Sequence, residues 1–99
     1  MENILQANPE INAVFAHNDE MALGALEAIK AAKRSNVMVV GFDATTDAVK
    51  AVNEGALAAT VAQKPKDMGK ISIETAKKVI AKETVPTAIP VPLELVVKK

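Results

Sequence analysis

The chain has 99 residues, enough for one small domain with a modest core. Twelve basic and twelve acidic residues cancel, so no net field draws it to nucleic acid or to an anionic membrane. There is no cysteine, which excludes disulfides and thiol chemistry, and the two aromatics, Phe15 and Phe42, leave few stacking platforms.

No apolar run approaches the ~20 residues that a membrane span needs. Met1-Glu2-Asn3-Ile4 lacks the basic and apolar regions of a signal peptide. As written, the chain is therefore expected to stay in the cytoplasm, where it is made.

Residues 1–7 carry Ile4 and Leu5 and fit a short helical turn. Asn8-Pro9-Glu10 is a turn signal. Residues 13–16, Ala-Val-Phe-Ala, predict a first strand. Asn18 or Asp19 then suits a helix cap, and acids in a first turn suit the helix dipole. Residues 21–34 are rich in Ala, Leu, Glu and Lys and predict a helix. Met21, Ala25, Leu26, Ile29 and Ala32 are its expected apolar face. Met21 and Met68 are expected to serve as core.

Residues 37–42, Val-Met-Val-Val-Gly-Phe, form a continuous apolar run that ends at Asp43. An unalternating run predicts a strand covered on both faces, as in a parallel sheet. Thr45 or Thr46 caps a second helix, which stops at Gly55. Residues 57–62 predict a third strand. Pro65 suits the first position of a third helix, with Met68, Ile71, Thr75, Ala76, Val79 and Ile80 on its apolar face. Residues 84–92 hold three prolines and predict extended coil, and residues 93–97 a last short strand. The order α-β-α-β-α-β-α, then a short strand, is that of an α/β fold with parallel strands and crossover helices.

Asn18, Asp43 and Gln63 each follow the end of a predicted strand by one or two residues. Parallel strands put those ends on one edge, where open α/β sheets bind ligands. A carboxylate accepts two hydrogen bonds, and each amide both donates and accepts. Such planar groups match vicinal hydroxyls of a neutral polyol. They match phosphate poorly, since Asp43 would repel it and no glycine-rich loop is present. Each residue also has a plainer reading: Asn18 as a helix cap, Asp43 as a solvated strand-end acid, Gln63 as a loop side chain. His17, the one histidine, has no nucleophile beside it in sequence, and an exposed loop histidine is its ordinary reading. His17, Asp19 and Asp43 match no common metal spacing, so neither metal nor cofactor is expected.

At these residues the chain resembles bacterial ribose-binding proteins. The resemblance lies in Ala13-Val14-Phe15-Ala16-His17-Asn18-Asp19-Glu20-Met21-Ala22-Leu23-Gly24-Ala25, in residues 37–43, in residues 57–63 and in the ending Leu93-Glu94-Leu95-Val96-Val97-Lys98-Lys99. It implies a partial Rossmann-like lobe of the type I periplasmic-binding-protein fold. It implies D-ribose as ligand, with Asn18, Asp43 and Gln63 as sugar-hydroxyl contacts, and an ABC importer's membrane permease as partner of the full-length parent, which also feeds chemotaxis in some bacteria.

The resemblance covers only the last third or so of that family. It assigns residues 1–63 to the carboxyl-terminal lobe, 64–92 to a segment crossing to the other lobe, and 93–99 to a returning strand. The amino-terminal lobe, the aromatic residues that sandwich the sugar and a contacting arginine are missing, so half a cleft with little affinity is expected. The parent family is periplasmic. The helix after Pro65 loses its usual partners, and self-association through it or poor solubility is expected. The alternative is the effector-binding core of a lactose-repressor-type regulator, which shares the fold and a similar Val-Gly-Phe-Asp run. The helix-turn-helix and basic surface of such a regulator are absent.

Overall fold

A computed structural model describes all residues, 1–99. The elements run α1 (Glu2–Ala7), β1 (Ala13–Phe15), α2 (Asp19–Ala31), β2 (Met38–Phe42), α3 (Thr46–Asn53), β3 (Ala59–Ala62), α4 (Pro65–Ile80) and β4 (Glu94–Val97). The fold is α/β, with its elements in the expected order. The chain divides into two compact units, Met1–Ala62 with Glu94–Lys99, and Gln63–Leu93.

The first unit is built on one sheet in the order β1-β2-β3-β4. β1, β2 and β3 are parallel, and β4 runs antiparallel against β3. The carboxyl ends of the three parallel strands therefore share an edge. The short strands extend through single bonds beyond their ends: the Ala16 N–H donates to the Val40 carbonyl, and that of Asp43 to Val61. Leu57 and Ala58, expected in the third strand, precede it. The Leu57 N–H turns back to Ala51 at the end of α3, and its side chain is buried beneath the sheet's helical layer.

The core lies on one face of the sheet. Leu5 of α1, Ala22, Leu26 and Ile29 of α2, and Ala48, Ala51 and Val52 of α3 cluster with Val39 and Leu57. Small residues let α2 and α3 approach the sheet closely. The buried stripe of α2 is Ala22, Ala25, Leu26 and Ile29, the 3–4 spacing of one helical face. Met21, expected in that stripe, lies about 100° round the helix from Ala22 and is exposed. Ala32, also expected there, is the exposed carboxyl cap. The helix itself ends at Ala31 rather than at residue 34.

The other face of the sheet carries no helix from this unit. Strand alternation and register put Ala13, Phe15, Met38, Val40, Phe42, Ala59, Val61, Leu95 and Val97 there. None is charged. Phe15 is 57% exposed, Met38 55%, Leu95 61% and Val97 49%. Parallel sheets are ordinarily covered on both faces, so this surface is unusual for its architecture. The expected two-sided cover of residues 37–42 is therefore corrected: the residues alternate, with Val39 and Gly41 buried and Met38 open.

The second unit is α4 and the extended segment after it. Pro65 occupies the first turn, as expected. No residue of α4 is buried. Met68, Ile71 and Thr75 line a groove with Pro86, Ile89 and Val91, and the core role expected of Met68 is not met. Ile73, Val79 and Ile80 are exposed. No helix of the chain is long and apolar enough to cross a membrane.

Candidate functional site

The shared carboxyl edge begins with Asn18, which has extended backbone and caps α2. Its Oδ1 accepts the Met21 N–H at 2.8 Å. The plainer reading of Asn18 is thus realised in one of its atoms. Its Nδ2 keeps two N–H donors for another partner.

Asp43 follows β2 directly, and its φ is 111°. Ala44 follows at φ 54°. Residues other than glycine reach this region at a cost of roughly 1–3 kcal/mol each, and the surroundings must hold them there. Three bonds do so. The Asp43 N–H donates to the Val61 carbonyl at 2.8 Å. The Ala44 N–H donates to Thr60 Oγ1 at 3.1 Å. The Thr45 N–H donates to Asp19 Oδ2 at 2.7 Å. Thr45 then caps α3, its side chain accepting the Ala48 N–H.

Asp19 and Thr60 lie beneath this loop and are fully buried. The Thr60 hydroxyl donates to Asp19 Oδ1 at 2.7 Å. No basic side chain pairs with Asp19. Its carboxylate sits instead at the amino termini of α2 and α3, where dipoles and N–H groups favour negative charge. Gly41 makes the room: a Cβ there would collide with Asp19 Oδ1 and crowd Ala22. The sequence offered Asp19 only as a cap or an improbable ligand and passed over Thr60. Two signals pointed to them: a glycine inside a strand, which marks a close approach, and a lone hydroxyl in the apolar run before Gln63.

The structure brings Asn18 and Asp43 to one edge, tied through Asp19, the neighbour of the first, and Thr45, two residues beyond the second. Gln63 follows β3 directly and is the first residue of the second unit. His17 is exposed and lies against Phe15, with ring centroids 5.8 Å apart. Grooves beside β1 (Ile4, Val14, Phe15, Met21) and between α1 and α2 (Leu5, Ala28, Ala32) include neither Asn18 nor Asp43. No group of three or more His, Asp or Glu side chains is placed to hold a metal ion.

Parallel strands with polar side chains at their shared carboxyl edge are where open α/β folds place a ligand site. The comparisons with known proteins give the chain's family. The family described as "Periplasmic binding protein domain" matches residues 1–84, and the chain belongs to it. The ribose import binding protein RbsB of Escherichia coli (strain K12) is 58% identical over 99 residues, all of this chain and 33% of that protein. That of Bacillus subtilis (strain 168) is 48% identical, again over all of this chain and 32% of that protein. A solved ABC transporter periplasmic solute binding protein from Actinobacillus succinogenes, with bound D-allose, has a TM-score of 0.78 and 41% identity, covering 98% of this chain and 34% of that one. One from Mycobacterium smegmatis with bound glycerol has a TM-score of 0.80 at 38% identity, over 98% and 34%. This chain thus spans about a third of the length of the curated relatives it matches. These relatives are solute-binding proteins, not enzymes, and they lend the transcription-regulator alternative no support.

Proposed function

We propose that this chain is part of the solute-binding component of an ABC sugar importer, carrying half of the sugar site. Asn18, Asp43 and Gln63 hydrogen-bond the hydroxyls of a monosaccharide, with D-ribose first in preference. The observation that carries the reading is Asp43, with its backbone at φ 111° at the carboxyl end of β2, on the same sheet edge as the Asn18 cap. A carboxylate there accepts from two vicinal hydroxyls, and Asn18 Nδ2 donates to a third oxygen. Neutral polyols fit this set. The preference for ribose rests on relatives named for ribose import, while others are named for D-allose and D-apiose.

Residues 1–63 and 93–99 we assign to one lobe of the longer protein and residues 64–92 to its other lobe. That longer protein works in the periplasm with a membrane permease. On its own the chain offers an open edge, so affinity is millimolar or weaker: hydroxyl hydrogen bonds gain little where water competes. The chain also self-associates through α4, which buries none of its residues.

A ¹⁵N–¹H NMR titration with D-ribose into the millimolar range tests the reading. Shifts confined to Asn18, Asp43, Gln63 and their neighbours are expected. A dispersed spectrum that ignores ribose, D-allose and glycerol alike overturns sugar contact by these residues. Submicromolar binding overturns the half-site.

A further inference from the structure

We infer that Thr60 and Asp19 are positioning residues for the ligand site, fixing the Asp43 carboxyl without touching the sugar; the inference rests on the sugar reading of Asp43. Their hydrogen bonds run in one direction. The Thr60 hydroxyl donates its proton to Asp19 Oδ1. The Thr60 oxygen then turns a lone pair to the Ala44 N–H. The second Asp19 oxygen takes the Thr45 N–H. Two consecutive loop amides, 44 and 45, are thus held by one buried pair, and both directly follow Asp43.

A connection of this kind does not by itself call for such a device. Glycine at positions 43 and 44 would adopt the same backbone without strain. The chain instead places an aspartate at φ 111° and an alanine at φ 54°, and supplies a buried pair that holds the amides of Ala44 and Thr45. The expense falls at and beside a position whose side chain the sugar reading needs. The same pair joins the α2 amino terminus, which carries Asn18, to the loop that carries Asp43. It thereby sets the spacing between the two proposed sugar contacts.

Amide hydrogen exchange and D-ribose titration of wild type, Thr60→Val and Thr60→Ser test this. In Thr60→Val, which keeps the shape but loses the hydroxyl, the Ala44 and Thr45 amides are expected to exchange at least about tenfold faster. Gly41 and Val61 amides should change much less, and the ribose shift at Asp43 should be lost. Thr60→Ser keeps the hydroxyl and should keep both the protection and the shift. A folded Thr60→Val with unchanged exchange at 44 and 45, or with an undiminished ribose response, overturns the inference. Should Thr60→Val fail to fold, wild type decides: loop amides protected like those of β2 support it, and amides exchanging at the free rate overturn it. A wild type blind to ribose removes the sugar reading, while exchange still decides whether the pair holds the loop.

Discussion

Asp19 Oδ1 and the Thr60 hydroxyl meet at 2.7 Å, and neither side chain has any exposed surface. The bond joins the first residue of α2 to the second residue of β3, two residues 41 apart in sequence. Buried polar groups of this kind stabilise only while every member is satisfied, and here every buried side-chain atom has a partner. Removing one member strands the others. Asp19→Ala leaves the Thr60 hydroxyl and the Thr45 N–H without acceptors, at about 1–3 kcal/mol for each. Thermal unfolding should show a fall in Tm of at least about 8 °C, the smallest total of about 2 kcal/mol at about 4 °C per kcal/mol for this size. A change under 3 °C would mean that water replaces the carboxylate without loss.

Gly41→Ala should act on the same network from the other side. Its added Cβ enters the space of Asp19 Oδ1. Asp19 cannot yield easily, since both its oxygens are held by short bonds. Overpacking of this sort costs about 1–3 kcal/mol, and displacing the carboxylate adds unsatisfied donors. The distinctive sign is where the change appears. In a ¹⁵N–¹H spectrum the Ala44 and Thr45 amides should move more than the α2 amides beyond the first turn. A perturbation confined to β1 and β2 would show that the sheet, rather than Asp19, absorbs the methyl group.

The sequence made much of this arrangement legible. Apolar runs followed by Asn18, Asp43 and Gln63 predict three parallel strand ends; Asn18 or Asp19, Thr45 or Thr46, and Pro65 mark three helix starts, and the structure takes Asn18, Thr45 and Pro65. Helix ends were read less well, for a physical reason. The carbonyls ending α2, α3 and α4 are closed by the same pair of turn-back bonds, from Lys33 and Arg34, from Gly55 and Ala56, and from Lys82 and Glu83. In each, the first of the pair is left-handed, but only Gly55 announces it. Lys33 gives no such signal, so the helix reads on to residue 34. Asp19 stayed hidden because its partners, Thr45 and Thr60, lie 26 and 41 residues away. Met21 was misplaced because Ala22, less apolar but smaller, is what fits against β2.

Those two lysines make a further prediction. At φ 53° and 58°, Lys33 and Lys82 hold conformations that glycine adopts at lower cost. Lys33→Gly and Lys82→Gly should each stabilise the fold, or leave it unchanged, by about 0–1 kcal/mol, since glycine also gains freedom in the unfolded chain. Elsewhere in these helices, as at Lys30, glycine should destabilise by about 1 kcal/mol. Urea unfolding of the three variants gives the comparison. Equal losses at Lys30 and Lys33 would show that the left-handed cap carries no strain.

The open sheet face gives the last prediction. Its exposed large side chains, Phe15, Met38, Leu95 and Val97, present on the order of 400 Å² of apolar surface, as large as the biggest patch on a typical monomer. The neighbouring Val40, Phe42 and Val61 continue it without a charge. The chain's net charge is zero, so no repulsion keeps copies apart. Wild type should therefore bind a hydrophobic dye such as ANS while fully folded. Phe15→Lys with Met38→Lys should cut that signal by more than half. Both positions lie on the face away from the core, so Tm should shift by only a few degrees. An exposed pair on α4, changed as Val79→Lys with Ile80→Lys, separates the two surfaces. If that pair alone abolishes dye binding, the sheet face is covered in solution and the apolar surface belongs to α4. If the sheet pair does so, the strands β1, β2 and β4 carry the exposed face, as their alternation and register require.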